Sequence, residues 1–202
     1  YCYKKYKNSM DIITGDGGFD FSVDFNNQEQ NSIKLIFAQI CYALAMQKTG
    51  GTFILKIFDI FTKSTLDLIY ILCNYYESVN IIKPCTSRIA NSEKYLVCQG
   101  FHAEKYDIIE YFINNFDTII NNKPFIVDFL NISLPYIFIN KIEESNAIFG
   151  QQQIENINNT ITKIINNEKI EFNEELIYSN INRCLIWCNR NDIPVNTNVL
   201  NK

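Results

Sequence analysis

Thr52-Phe53-Ile54-Leu55-Lys56-Ile57-Phe58 is a β-rich apolar run interrupted by a single lysine, and its flanks decide the fold class. Upstream, Ile33, Phe37, Ile40, Cys41 and Leu44 recur at helical spacing and stop at Gly50-Gly51, a pair expected at a helix exit. Before that helix, residues 10–15 are apolar and β-branched and break at Gly15-Asp16-Gly17-Gly18, which predicts a buried strand ending in a permissive turn. Downstream, Leu66, Ile69, Tyr70 and Cys73 mark a second helix behind Thr62-Lys63-Ser64-Thr65, and residues 79–82 and 94–98 supply two further strands. Strands alternating with helices through short connections give an α/β layered sheet. The last two strands have no helix-sized insert between them, so they are expected as an antiparallel pair at one edge. Residues 1 to about 101 read as half of a doubly wound domain.

From His102 onward the composition shifts to Asn and Ile, and the spacing of Ile154, Ile157, Ile161, Ile164 and Ile165 is helical. Residues 102–202 are therefore expected as an α-helical extension, its last helix over about 173–189 with Ile177, Ile181, Cys184, Leu185 and Cys188 on one packed face. Cys184 and Cys188 have a spacing that metals use, but without a His or a second pair beside them a packed face is the reading, and no metal site is expected.

The whole chain has 202 residues, 47% hydrophobic and 20% charged, which excludes a disordered or collagen-like chain. Eighteen Lys+Arg against 22 Asp+Glu leave a net charge of −4, so contact with nucleic acid requires a local patch. Seven cysteines, an odd number at irregular spacing, read as free or buried thiols of a reducing compartment, and the location expected is intracellular, nucleus or cytoplasm, or a cytoplasmic factory or virion for a viral chain. The apolar runs are too short or too interrupted to span a membrane. The chain opens at Tyr1 without a Met or leader and reads as the downstream portion of a longer one.

Ligands of open α/β sheets bind at the carboxyl ends of the parallel strands. Asp16 follows the first strand, Lys56 lies near the end of the second, and Glu93 begins the last. An antiparallel last strand brings its start to the edge where the others end. A lysine surrounded by Phe53, Ile54, Leu55, Ile57 and Phe58 is unusual, because lysine is seldom buried without a partner. Burial draws an ammonium toward the range where the neutral amine accepts a proton, while flanking carboxylates push the other way. On composition alone a snorkelling lysine or a plain ion pair explains Lys56 equally well, and Asp16 in its turn is explained by bonds to its own backbone. His102, outside every motif, reads as structural or surface.

Three strings carry a resemblance: Asp16-Gly17-Gly18-Phe19, Thr49 through Asp59, and Lys83-Pro84-Cys85-Thr86-Ser87-Arg88-Ile89-Ala90-Asn91-Ser92-Glu93-Lys94-Tyr95. In this order they resemble the FtsJ-like ribose 2′-O-methyltransferases over residues 10–101, and the last string, with the Phe-Asp-x-Phe-Thr step at 58–62, is most similar to the cap-specific mRNA enzymes. The resemblance implies a Rossmann-like S-adenosylmethionine-dependent fold, represented by the C-terminal half of its sheet with the last strand antiparallel. It implies S-adenosylmethionine as methyl donor and no metal. Catalysis would fall to Asp16, which also faces the donor, to Lys56 as general base, and to Glu93; Asn26, Arg88 and Asn91 would face the capped RNA. The family's first lysine and Gly-rich donor loop are expected upstream of this chain. Lys83 and Lys94 either add local positive charge or are simply solvated. A stacking role for an exposed aromatic is open among the 15 Phe and 12 Tyr.

The reading that follows is methylation of the first transcribed nucleotide of capped mRNA, with a partner from the capping or transcription machinery possible and no membrane partner. Two alternatives stay open: ribose methylation of ribosomal or transfer RNA, and a non-catalytic RNA-binding scaffold without the donor-binding half.

Overall fold

Lys56 lies in the carboxyl half of β2 (Gln47–Ile57), whose alternation organises the sheet. Phe53, Leu55 and Ile57 face one side and are fully buried; Thr52, Ile54 and Lys56 face the other and are half-buried. In the computed structural model, which describes residues 1–19, 27–85, 87–102, 107–122, 125–165 and 174–196, β2 has a neighbour on each side. β1 (Met10–Gly15) runs parallel to it, with Ile13 opposite Phe53 and Gly15 opposite Leu55. β4 (Lys94–Phe101) runs antiparallel, with Leu96 opposite Leu55 and Lys94 opposite Ile57. β3 (Tyr76–Ile82) pairs antiparallel with β4, giving the order β1-β2-β4-β3.

The last two strands are thus the antiparallel pair that their short connection requires, but β4 inserts between β2 and β3 and leaves the edge to β3. Since β2 and β3 both oppose β4, β1, β2 and β3 are mutually parallel. α2 (Gln28–Met46) and α3 (Lys63–Tyr75) are the crossovers between them. This is the Rossmann-like α/β arrangement with a reversed last strand.

The core lies between the apolar sheet face and the inner faces of α2 and α3, where Phe37, Ile40, Leu68 and Leu72 are fully buried. Each such side chain stabilises the fold by about 1.5–3 kcal/mol relative to exposure. α4 (Asp107–Asn121) adds Ile109 and Phe112, and Phe37 meets Phe112 edge-on at 5.0 Å and stacks on Phe129 at 5.1 Å. Buried Asp67 pins the segment carrying Phe129 to α3. Its carboxylate accepts the Phe129 and Leu130 N–H groups at 2.9 and 3.0 Å and the Lys63 ammonium at 2.8 and 2.9 Å.

Two expectations are corrected. The first helix does not run to Gly50-Gly51. It ends at Met46, because Gln47 takes an extended conformation (φ −62°, ψ 134°) and its side-chain amide donates to the Met10 and Asp11 carbonyls at 2.9 and 3.1 Å. Gly50, at φ +80°, sits inside β2 where its pairing with β1 shifts register, so it serves an irregularity of the strand. β1 is also not the buried strand that its apolar run predicts. Among the described residues it pairs only with β2, and Ile12 is 69% exposed.

α1 (Cys2–Tyr6) precedes β1, and α5 (Tyr136–Ile165) and α6 (Glu174–Arg190) follow α4. The chain divides into two units, Tyr1–Asn156 and Ile157–Lys202. Along α6, Ile181, Leu185 and Cys188 are half-buried while Ile177 and Cys184 are exposed, so the predicted packed face is narrower than its spacing implies. His102 is half-buried and its backbone N–H donates to the Tyr75 carbonyl at 2.8 Å. No helix of the described residues is long and apolar enough to cross a membrane.

Candidate active site

The register brings Asp16 and Lys56 together. Gly15 is opposite Leu55 in a parallel pair, so the next residue of each chain emerges side by side at the carboxyl edge. The Lys56 ammonium ion-pairs with Asp16 Oδ1 at 3.0 Å and donates to the Asp16 carbonyl at 3.1 Å. The lysine side chain is 15% exposed and the aspartate 68%, so the pair has one sheltered and one open member. The glycines after Asp16 let the chain pass closely: the Gly17 N–H donates to Gln39 Oε1 at 2.9 Å, and a Cβ there would lie about 3.1 Å from both Gln39 and Leu35.

β4 enters this edge from the other direction. Tyr95 is opposite Lys56, and its hydroxyl donates to Asp16 Oδ1 at 3.4 Å. Burial, then the negative charges of Glu93 and Asp16, hold the Tyr95 phenol above its ordinary pKa, which is how two carboxylates around one hydroxyl act. Glu93, one residue before β4, accepts the Ser87 hydroxyl at 3.1 Å. Lys83 fastens the intervening loop, its ammonium donating to the Asn91 carbonyl and Oδ1, both at 2.8 Å, and to the Glu93 carbonyl at 2.9 Å.

Lys56, Glu93, Arg88 and Asn91 line one open cavity of about 620 Å³, with Gln28, Glu29, Phe19 and Phe61 among the other lining residues. Four sequence-derived candidates therefore share this cavity, and Asp16 joins them through Lys56. Asn26, like Thr86, lies outside the described residues.

Lys83 and Lys94 are not solvated surface charges. Lys94 is 5% exposed; its ammonium donates to the Ser92 carbonyl at 2.8 Å, lies 3.8 Å from Asp59 and sits 5.9 Å from the centre of the Phe149 ring. Burial lowers the pKa of Lys94 against the pull of Asp59, and raises that of Asp59 against the pull of Lys94. Burial likewise lowers Lys83.

Sequence reasoning gave no role to Glu29, Phe61 or Gln153. Glu29 is buried at the start of α2, where its carboxylate accepts the Phe61 N–H at 3.0 and 3.2 Å, the Thr62 N–H at 2.9 Å and the Thr62 hydroxyl at 2.8 Å. Thr62 is the N-cap of α3, so Glu29 locks the β2–α3 turn. Gln153 of α5 donates to the Ala90 carbonyl at 3.1 Å and lines the cavity, and Asn146 donates to the Ile60 carbonyl at 2.7 Å. The Phe-Asp-x-Phe-Thr step did flag Phe61 and Thr62, whereas nothing in the helical tail pointed to Gln153.

Comparison with known proteins adds three findings. The family described as FtsJ-like methyltransferase matches residues 2–101. A cap-specific mRNA (nucleoside-2′-O-)-methyltransferase 1 of Trypanosoma brucei brucei is 30% identical over 172 residues, 81% of this chain and 45% of that protein, and the Mus musculus enzyme of the same name is 41% identical over 105 residues, 52% of this chain and 12% of that protein. The chain thus spans less than half the length of these relatives. The crystal structure of a ribosomal RNA methyltransferase from Plasmodium falciparum aligns with TM-score 0.38 and 26% identity, over 48% of this chain and 49% of that one.

Proposed function

We propose, from the match of residues 2–101 to the FtsJ-like methyltransferase family, that the protein methylates the ribose 2′-hydroxyl of the first transcribed nucleotide of capped mRNA, converting cap 0 to cap 1. Residues 1–101 act as the C-terminal half of the methyltransferase domain and 102–202 as its helical extension. The observation that carries the reading is the contact of Lys56 with Asp16 at the edge of a cavity that Glu93, Arg88 and Asn91 also line.

S-adenosylmethionine supplies, in this family, a methyl group activated by a positively charged sulfur. The residue that fits beside such a cation is Asp16, whose side chain stays 68% exposed while paired with Lys56. Once the Lys56 ammonium has released its own proton to solvent, the neutral amine takes the proton of the ribose hydroxyl, a role that needs a base within hydrogen-bond reach of the oxygen. Asp16 orients Lys56 through their 3.0 Å ion pair, and Glu93 orders the Ser87–Glu93 side of the cavity through the Ser87 hydroxyl. Arg88 and Asn91 contact phosphate or sugar, as cationic and amide side chains do, and Asn26 completes the substrate set. Holding the hydroxyl in line with the methyl supplies the remainder of the acceleration.

The test is transfer of labelled methyl from S-adenosylmethionine to capped RNA with an unmethylated first ribose, using the complete gene product. Label confined to the first ribose is the expected result. Equal labelling of uncapped RNA moves the substrate to ribosomal or transfer RNA, and no donor binding at all refutes the enzymatic reading in favour of a scaffold.

A further inference from the structure

Three phenylalanines line the cavity, and they differ in a way that packing alone does not explain. Phe58 is buried, whereas Phe19 is 58% and Phe61 71% exposed. Exposed aromatics on mobile loops are common; Phe61 is not on one. Its own N–H is held by the buried Glu29 carboxylate, as are the N–H and hydroxyl of Thr62, which starts α3. On its other side Ile60 is 1% exposed and its carbonyl accepts the Asn146 side-chain amide at 2.7 Å. Five hydrogen-bond contacts and two well-fixed neighbours hold a ring in the open at the wall of a cavity that otherwise presents Lys56, Arg88, Glu93 and Asn91.

We propose that Phe61 is the stacking platform for the nucleobase of the nucleotide whose ribose is presented to Lys56. The inference rests on the ribose-methylation reading and adds to it the part of the substrate that is not ribose. An apolar protein partner would match the ring but not the charged wall around it, whereas a nucleotide matches both. Its base offers a π face to Phe61, its phosphate offers negative charge to Arg88, and its ribose hydroxyl is presented to Lys56. Stacking on an aromatic side chain tolerates every base, because each has such a face. Phe61 therefore anchors the nucleotide without choosing its sequence, and Glu29 is the positioning residue that holds the platform.

Three variants and two readouts test this. Phe61→Ala removes an exposed side chain and is expected to fold, to weaken binding of a short capped RNA by about 5- to 150-fold, and to raise KM far more than it lowers kcat. The factor should be the same for all four first bases. Phe61→Trp should restore binding and, in a Trp187→Phe background, should show indole emission quenched by the RNA. Glu29→Gln should give a smaller loss of affinity than Phe61→Ala. Unchanged RNA affinity and KM in Phe61→Ala, with transfer still abolished in Lys56→Ala, overturns the platform and leaves the proposed reaction standing. Phe61-dependent binding and quenching without methyl transfer to any RNA upholds the platform and overturns the reaction.

Discussion

Replacing Lys56 separates the proposed chemistry from architecture, because the two contributions are expected to differ greatly in size. The Lys56 side chain is sheltered, but its ion-pair partner Asp16 is 68% exposed, so loss of Lys56 leaves a carboxylate that water solvates readily. An ion pair with an exposed member contributes about 0–1 kcal/mol, and the packed stem of the lysine about 1 kcal/mol more. Lys56→Ala should then lower stability by no more than about 2 kcal/mol, a fall in Tm of roughly 4–8 °C for a chain of this size. A general base contributes about 10²- to 10⁴-fold to rate, equivalent to about 2.7–5.5 kcal/mol of barrier. The assay is single-turnover methyl transfer to capped RNA beside thermal unfolding of the same preparations. Lys56→Arg sharpens it, since arginine keeps a cation beside Asp16 and does not release its proton in proteins. Transfer should fall by at least about 100-fold in both variants. If Lys56→Arg retains transfer within about tenfold, Lys56 acts by charge alone and its role as proton acceptor is refuted.

Further outcomes follow from the same geometry. Asp67→Ala should cost about 3 kcal/mol in urea unfolding and speed hydrogen exchange at Phe129 and Leu130, whose N–H groups lose their common acceptor; unchanged exchange would show that Asp67 does not pin that segment. Burial pushes the Cys98 thiol up to about 12 and Cys41 higher still, so at pH 8 a thiol reagent should modify exposed Cys85 and reach Cys41 and Cys98 only in denaturant. Rapid native labelling of Cys98 would argue against an interior β4. Because burial lowers Lys94, the unfolded chain holds more protons between its depressed pKa and 10.5, and this residue's contribution to stability rises with pH across that window. The stability difference between parent and Lys94→Met should rise there too, and a flat difference would place the Lys94 ammonium in water.

Much of the sheet could be read because each strand carries its own punctuation. Two strands and two helices are bracketed by turn residues, and the short insert after residue 82 forces the last strand to reverse. What period-two alternation does not encode is which neighbour a strand takes, so the insertion of β4 between β2 and β3 had to come from the structure. Gly50-Gly51 misled for a related reason: a glycine pair signals an unusual backbone without saying whether a helix is ending or a strand is irregular. Gln47 decides it through hydrogen bonds to β1 that no local pattern announces. Glu29 was hidden similarly, as an acidic residue in the first turn of a helix needs no explanation until its carboxylate is found on the turn before α3.

The two lysines at this sheet edge show how the site depends on register. Lys56 stands among apolar neighbours near the end of β2, whereas Lys94 opens β4 directly after Ser92 and Glu93, so composition alone would bury the first and expose the second. In the paired strands Lys94 is opposite Ile57 and Tyr95 is opposite Lys56, so the two side chains leave on opposite faces. One reaches Asp16 and the cavity; the other is driven beneath the sheet toward Asp59 and Phe149. A slip of one residue between β2 and β4 would move Lys94 to the open face and bury Tyr95 among the helices. Phe53, Leu55 and Ile57, opposite Cys98, Leu96 and the Lys94 backbone, resist that slip because it would turn the apolar row of β4 into solvent. The hydrophobic pairing that closes the core therefore also selects which lysine meets the carboxylate of Asp16.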